Sequence, residues 1–292
     1  MHAVLAGVRF DVDVQIVHKP DAPQPAPDPL CDFDVVIPHR GLERHLRLCV
    51  DSMRRQRVNG RISVALDQES RCLNFLRDVK DDSAFQVFQC FPHPVGPYVA
   101  RHRLGHAATA GFIAWQDSDD ASLPARLRTL ADAANKHGAG LVGSHELEVD
   151  ETKRRVSAVR YPLDVNAALE RIGAAHQMLF PMTIVRREVF AAVGGLSTHR
   201  IFSLDVNFWL AASLHTRAVN VDEFLYIRRR RPGSLTRRPD FGSHSEARKA
   251  LRAEREADYL AIREGTLRIE DSSLALRHRD EPVEMRPLTP AQ

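Results

Sequence analysis

The sequence predicts an α/β protein in which short buried strands alternate with amphipathic helices. Three observations carry that prediction. Apolar runs and helical periodicities alternate from Phe33 to Phe88 in a βαβαβ order. The run Phe112-Ile113-Ala114-Trp115 stops abruptly on Asp117, Asp119 and Asp120, three carboxylates in four positions, with Ser122 and Pro124 starting a helix just beyond. Open α/β sheets bind ligands at such carboxyl ends of strands. The composition, 43% hydrophobic and 27% charged over 292 residues, allows a full core in one large domain or two small ones.

Residues 1–32 read as an extension: a β-prone piece over Val8–Val17, then Pro20, Pro23, Pro25, Pro27 and Pro29, a spacing that favours an extended tether. Phe33–Ile37 is the first strand and Pro38–Gly41 a loop. Leu42, Leu46, Cys49, Val50 and Met53 then recur at helical spacing, so a helix runs through Gln56. Ile62–Leu66 and Phe85–Phe88 are the second and third strands. Pro97 suits the first turn of a helix that ends before Gly111 and feeds the acid-tipped strand. A helix over Leu123–His137 closes on Gly138, and Leu141–Val149 with Val156–Arg160 forms a hairpin, an antiparallel addition. Met182–Val185 is strand-like, Glu188–Val193 helical, Leu204–Leu214 an amphipathic helix, and Leu225–Ile227 leads into a cluster of arginines. Ser243–Arg263 is a charged helix whose thin apolar stripe (Ala247, Leu251, Tyr259, Ile262) packs on the domain edge. Arg277–Gln292, with three prolines and little apolar content, is expected to be poorly ordered. The expected organisation is therefore an extension and tether (1–32), an α/β domain (33–240), and a C-terminal helix with a flexible tail (241–292).

No stretch approaches the roughly 18 apolar residues of a membrane helix, and Asp11 and Asp13 behind a short apolar run are not a signal-peptide layout. A cytoplasmic protein without a transmembrane segment is expected. Cys31, Cys49, Cys72 and Cys90 lack paired-ligand spacing and read as reduced structural thiols. The net charge of +3 is too small to argue for nucleic acid, and the six arginines between Arg228 and Arg238 sit in an aromatic-poor stretch with no nucleic-acid motif. Lysine is confined to five positions, so the positive charge is nearly all guanidinium, which suits bidentate phosphate contacts or reflects codon composition.

Carboxylates as crowded as Asp117, Asp119 and Asp120 require a divalent cation or a ring of donors, with phosphates beyond it. Pro38, His39 and Arg40 reach the same sheet edge, where backbone groups can line a nucleotide. Asp67, just past the second strand, either reads the polar edge of a base or is a solvated loop aspartate. Arg101, near the start of the helix before the acidic strand, either meets a diphosphate or lies on the surface. His102 and His106 have the i, i+4 spacing of a zinc pair, but no glutamate lies between them and no third ligand is evident. Asp205, on the helix that carries Trp209, is either a desolvated general base or a helix N-terminal carboxylate favoured by the dipole. The region Tyr161–Pro181, with His176 and Gln177, either faces an acceptor or packs.

The succession Val35–Pro38, Leu66-Asp67, Ala100–His102, Phe112–Asp120 with Pro124, Val193–Gly195, Asp205–Trp209 and Arg228–Thr236 resembles, in this order and over about 200 residues, the family 2 glycosyltransferases with the GT-A fold. The resemblance implies a single GT-A domain, a Rossmann-like mixed sheet flanked by helices, with an N-terminal extension and a C-terminal helix. It implies a hexosyltransferase-like enzyme of carbohydrate biosynthesis that uses a nucleotide-diphosphate sugar and Mn2+ or Mg2+. On the matching positions, Asp117, Ser118, Asp119 and Asp120 form the metal and ribose site, Asp117-Ser118-Asp119 being the Asp-x-Asp motif. Asp67 and the loop of Pro38, His39 and Arg40 hold the base, Arg101 approaches the diphosphate, and Arg230, Arg231 and Ser234 complete the donor side. Asp205 matches the acceptor base of inverting members. Two positions depart from the family pattern. The acidic pair that opens the base helix reads Leu204-Asp205, and where many relatives carry Arg-His before a Ser this chain has Arg230-Arg231-Pro232-Gly233-Ser234. The second change replaces a metal ligand by a permanent cation suited to the leaving diphosphate.

The expected reaction is metal-dependent, inverting transfer of a sugar to the hydroxyl of a glycan, lipid-linked or small-molecule acceptor, with Asp205 as base. A homodimer is compatible with this reading. A nucleotide-sugar-binding module without turnover, suggested by Leu204 and Arg231, and a metal-dependent nucleotidyltransferase or phosphohydrolase are the alternatives.

Overall fold

Seven consecutive buried residues, Phe33–His39, make the first strand of the main sheet, and burial on both faces is the mark of a strand covered by helices on each side. The computed structural model describes residues 32–56, 59–68, 72–172, 177–234, 236, 239–240, 242 and 245–288, with a short antiparallel pair, Val4–Leu5 (β1) and Val8–Arg9 (β2). The rest of the expected tether lies outside the described residues. In chain order follow β3 (Phe33–His39), α1 (Glu43–Arg54), β4 (Gly60–Leu66), α2 (Leu73–Val79), β5 (Phe85–Phe91), α3 (Pro97–Ala107), β6 (Phe112–Trp115), β7 (Ala121–Ser122), α4 (Arg126–His137) and β8 (Ala139–Asp150). Then come β9 (Arg155–Val159), α5 (Val165–Ile172), β10 (Ile184–Arg186), α6 (Arg187–Val193), α7 (Leu204–His215), β11 (Arg217–Arg230), α8 (Glu246–Arg263) and β12 (Glu284–Pro287).

The main sheet is mixed, in the order β12-β5-β4-β3-β6-β10-β8-β11-β7, with β9 paired to β8. Strands β3, β4, β5 and β6 are parallel. Strand β10 runs antiparallel between β6 and β8, and β11 lies parallel to β8. Connections from β3 lead to β4 and β5 on one side, whereas β6 lies on the other. The strand order therefore reverses at β3, and a crevice forms beyond the carboxyl ends of β3 and β6. Alternation along β3 divides two cores: Val36 packs with Trp115 and residues of α3, α6 and α7, while Val35 and Ile37 pack with residues of α1, α2 and α4.

Four expectations are corrected. Pro38 and His39 belong to β3 rather than to a loop, because pairing with β4 continues to His39 opposite Leu66. Ser122 does not start a helix; it sits on β7, drawn antiparallel to Tyr226 of β11, and α4 begins at Arg126. Strand β11 is 14 residues long rather than the short Leu225–Ile227, since it follows β8 from Arg217 to Arg230 through a bulge between Asn220 and Phe224. Finally, Glu284–Pro287, expected to be poorly ordered, pairs antiparallel with β5. Backbone hydrogen bonding to an open sheet edge requires little apolar content, and Leu288 N–H extends it to the Val87 carbonyl at 2.8 Å.

Cys49, Cys72 and Cys90 are free and buried, as expected of structural thiols, and Cys31 lies outside the described residues. Among the described residues no helix is long and apolar enough to cross a membrane.

Candidate active site

Beyond Trp115 the chain turns at once: Asp120 N–H returns to the Asp117 carbonyl at 3.2 Å, and β11 captures the next two residues as β7. This turn brings one carboxylate oxygen each from Asp117, Asp119 and Asp120 within 4.8 Å of one another. Each carboxylate has its own compensation. Asp117 pairs with Arg101 Nη2. Asp119 Oδ2 accepts from Arg231 Nε at 2.8 Å. Asp120 accepts the backbone N–H of Arg229 at 2.7 Å and the Tyr226 hydroxyl at 2.9 Å. Burial, and then the charges of Asp119 and Asp117, push the Asp120 carboxyl well above the usual range. Asp117 and Asp119 keep 38% and 23% of their side-chain surface open, against 4% for Asp120 as a whole. The turn thus presents two carboxylates to the crevice and sinks the third. An all-oxygen donor set suits a hard divalent cation, and no other such group converges among the described residues.

The floor of the turn is Arg126, which is fully buried. Its guanidinium donates to Gln116 Oε1 at 2.9 Å, Ser122 Oγ at 2.7 Å and the Trp115 carbonyl at 2.9 Å. It also lies 5.1 Å from the centre of the Tyr226 ring. Burial pushes its pKa down to about 10, which leaves it cationic at neutral pH. The arginines of β11 are sorted one by one. Arg228 reaches Glu146 at 3.6 Å, Arg229 pairs with Glu151 at 2.8 Å, and Arg230 pairs with Glu148 at 3.1 Å. Of the four consecutive arginines only Arg231 places its guanidinium on an acidic-turn carboxylate. Arg230 is drawn to β8, and Ser234 Oγ lies 3.2 Å from Thr236 Oγ1.

At the end of β3, His39 places Nδ1 2.9 Å from Ser118 Oγ, while its buried Nε2 has no partner. Burial pushes the imidazole pKa down to about 4. Arg40 beyond it is exposed. Asp67 is buried rather than solvated: its two oxygens accept the backbone N–H groups of Val95 at 2.7 Å and Gly96 at 2.8 Å. Burial raises its pKa. The grip holds the loop that opens α3, where Gly96, with φ of +88°, precedes Pro97. Helix α3 then carries Tyr98 and Arg101 one turn apart. The Arg101 guanidinium lies 5.3 Å from the centre of the Phe180 ring, and its buried Nε has no partner. The Tyr98 hydroxyl donates to Asp205 Oδ1 at 2.8 Å. Asp205 is half-buried in the first turn of α7, whereas Leu204 beside it and Trp209 one turn on belong to the core.

Residues 34–194, from β3 to the glycine after α6, match the sequence pattern of glycosyl transferase family 2. The chain belongs to that family. No curated protein matches its sequence significantly. The fold of this family 2 glycosyltransferase is similar to that of TarS from S. aureus. TarS residues 1–349 in complex with UDP-GlcNAc align with a TM-score of 0.59 at 17% identity, over 79% of this chain and 73% of that one. The same TarS fragment with UDP gives 0.57 at 17% identity, over 79% and 72%. The longer TarS chain gives 0.56 at 16% identity, over 79% of this chain and 43% of that one.

Of the residues singled out in the glycosyltransferase's sequence, His39, Arg101, Ser118, Arg231 and the three aspartates meet at the acidic turn, and Asp205 is joined to α3 through Tyr98. Pro38 and Asp67 lie at the neighbouring strand ends. The rings of His102 and His106 are 4.5 Å apart, and among the described residues they belong to no group of metal-ligating side chains. Gln177 is buried, its carbonyl accepting from Asn220 Nδ2 at 2.9 Å, and His176 lies outside the described residues. Tyr98, Arg126, Tyr226 and Arg229 were not expected at the site. The two tyrosines meet their partners across 107 and 106 residues of sequence, a distance at which no local pattern signals them.

Proposed function

We propose that the chain transfers a sugar from a nucleoside-diphosphate sugar to an acceptor hydroxyl with inversion, and that it needs Mg2+ or Mn2+ to do so. The supporting observation is the open carboxylate pair of Asp117 and Asp119 at the switch point of the sheet, with a separate carboxylate, Asp205, held by the same helix that holds Asp117. Asp117 and Asp119 would hold the cation, with Asp120 fixing the turn beneath them. A bound Mg2+ or Mn2+ supplies positive charge to the departing diphosphate. Arg101 and Arg231 add fixed guanidinium charge there. Asp67, Pro38, His39 and Arg40 border the pocket for the base, and Ser118 that for the ribose. Asp205 removes the proton of the acceptor hydroxyl as its oxygen bonds to the anomeric carbon and the bond to the diphosphate breaks, in one in-line displacement. The described part of residues 33–240 contains every one of these groups.

TarS has been captured with UDP-GlcNAc and UDP, so uridine diphosphate sugars are the first donors to test. The acceptor belongs to the glycans, lipid-linked saccharides or small hydroxylated molecules. Asp205→Asn should lower transfer by about 100-fold or more while Mn2+-dependent UDP binding, followed by calorimetry, stays at the wild-type level. Loss of UDP binding in that variant would reassign Asp205 to donor recognition or folding.

A further inference from the structure

A base on the first turn of a helix is anchored by its backbone alone, and its carboxylate is free to rotate unless something holds it. Here one oxygen is held: the Tyr98 hydroxyl donates to Asp205 Oδ1 at 2.8 Å. Tyr98 is 7% exposed and comes from α3, whose first turn is fixed by the Asp67 grip on Val95 and Gly96. One turn along the same helix, Arg101 reaches Asp117. A single rigid element thus places one donor on each of the two acidic centres.

We propose that Tyr98 is a positioning residue for sugar transfer: its hydroxyl fixes the Asp205 carboxylate, leaves Oδ2 for the acceptor hydroxyl, and through α3 sets the base relative to Asp117. The proposal rests on Asp205 being the base. A phenylalanine ring would fill the same buried space, so the hydroxyl, whose partner is Asp205, is what needs a reason. Burial, and then the charge of Asp205, holds that hydroxyl far above the ordinary tyrosine range, so it donates without surrendering its proton. Other charges also bear on this pair: Asp117 from the acidic turn, Arg200 from the loop before α7 and Arg255 from α8 on the carboxylate, and Arg101 from α3 and Arg248 from α8 on the hydroxyl. All of them remain when the hydroxyl alone is removed.

Tyr98→Phe and Asp205→Asn, made side by side in the full chain, test the idea. Tyr98→Phe should melt close to wild type and bind UDP with Mn2+ at wild-type affinity. Its kcat for UDP release, from whichever uridine diphosphate sugar the wild type turns over, should fall about 10- to 100-fold. In protein carrying 13C at aspartate carboxyls, the signal missing from Asp205→Asn should change position in Tyr98→Phe as the carboxylate loses its donor, a readout that needs no turnover. An unmoved signal with unmoved kcat overturns the proposal. So does a fall confined to UDP affinity, which would place Tyr98 on the donor side. If Asp205→Asn keeps wild-type turnover, the base assignment itself fails; if it is inactive while Tyr98→Phe behaves as wild type, only the role of Tyr98 fails.

Discussion

Tyr226 serves two carboxylate-bearing residues with one hydroxyl, donating to Asp120 Oδ2 at 2.9 Å and accepting the Asp117 N–H at 3.3 Å. Its side chain is fully buried, so water cannot substitute for the oxygen without opening the turn. Tyr226→Phe should therefore lower unfolding stability by about 1–3 kcal/mol, the penalty for a buried carboxyl oxygen and a backbone N–H that lose their partner. A urea titration reads this as a lower midpoint at unchanged slope. A loss below about 0.5 kcal/mol would show that the acidic turn repairs itself and that Tyr226 is not its clamp. The exposed Arg47–Asp78 pair at 2.8 Å is the contrasting case: geometry there is as short, yet removing it should change stability by no more than about 1 kcal/mol, because water screens both charges.

Helix α3 joins the site on one face to the C-terminal segment on the other. His102 and His106 project from it, and His278 lies 4.6 Å from His102 between ring centres. The segment carrying His278 is laced to the loop after α6, with Thr198 N–H on the Arg277 carbonyl at 2.8 Å and Arg277 N–H on Ser197 Oγ at 3.0 Å. Gly195, with φ of +91°, permits this closeness: a Cβ there would stand 2.7 Å from ring nitrogens of both His102 and His106. Burial, with help from the neighbouring imidazoles and Arg103, pushes His102 down to about 4. Burial also lowers His278. The folded protein thus keeps His102 neutral where the unfolded chain, with an ordinary value near 6.5, takes up a proton. Its contribution is full above pH 6.5 and is lost as pH falls towards 4. Between pH 7.5 and 5 the wild type should lose about 1–2 kcal/mol more stability than His102→Gln, measured by urea unfolding at each pH. Parallel losses in the two proteins would remove His102 from the account; His39, also held low by burial, contributes to both. The helices and the central strands of this layer were legible because their apolar spacing is local. The docking of Arg277–Pro287 was not, since it rests on backbone pairing and on histidines brought together from two distant stretches.

At the scale of the whole molecule, the acidic turn was readable because one strand ends in three carboxylates and an α/β order puts strand ends at one edge. What was unreadable came from pairing across the sheet. Strand β11 had to lie between β8 and β7 before Arg229 and Tyr226 could reach the turn, and the placement of α3 against α7 had to be known before Tyr98 could be matched with Asp205. The same assembly makes the crevice electrostatically divided. Asp117 and Asp119 repel a diphosphate, while Arg101 and Arg231, already paired with them, weaken their hold on a cation. Each ligand alone meets an opposing charge, and each relieves the opposition to the other, which is the condition for positive coupling. UDP and Mn2+ together should therefore raise the melting temperature by more than the sum of the two separate rises. Each ligand at 100-fold above its own dissociation constant contributes about 2.7 kcal/mol, or roughly 5–10 °C for a domain of this size, and the coupling comes on top of the two. Asp119→Asn should retain the fold and lose most of the synergy, because it removes one of the two open carboxylates. A rise with UDP that survives a chelator undiminished would mean that Arg101 and Arg231 bind the diphosphate unaided and that the three aspartates serve the turn rather than a cation.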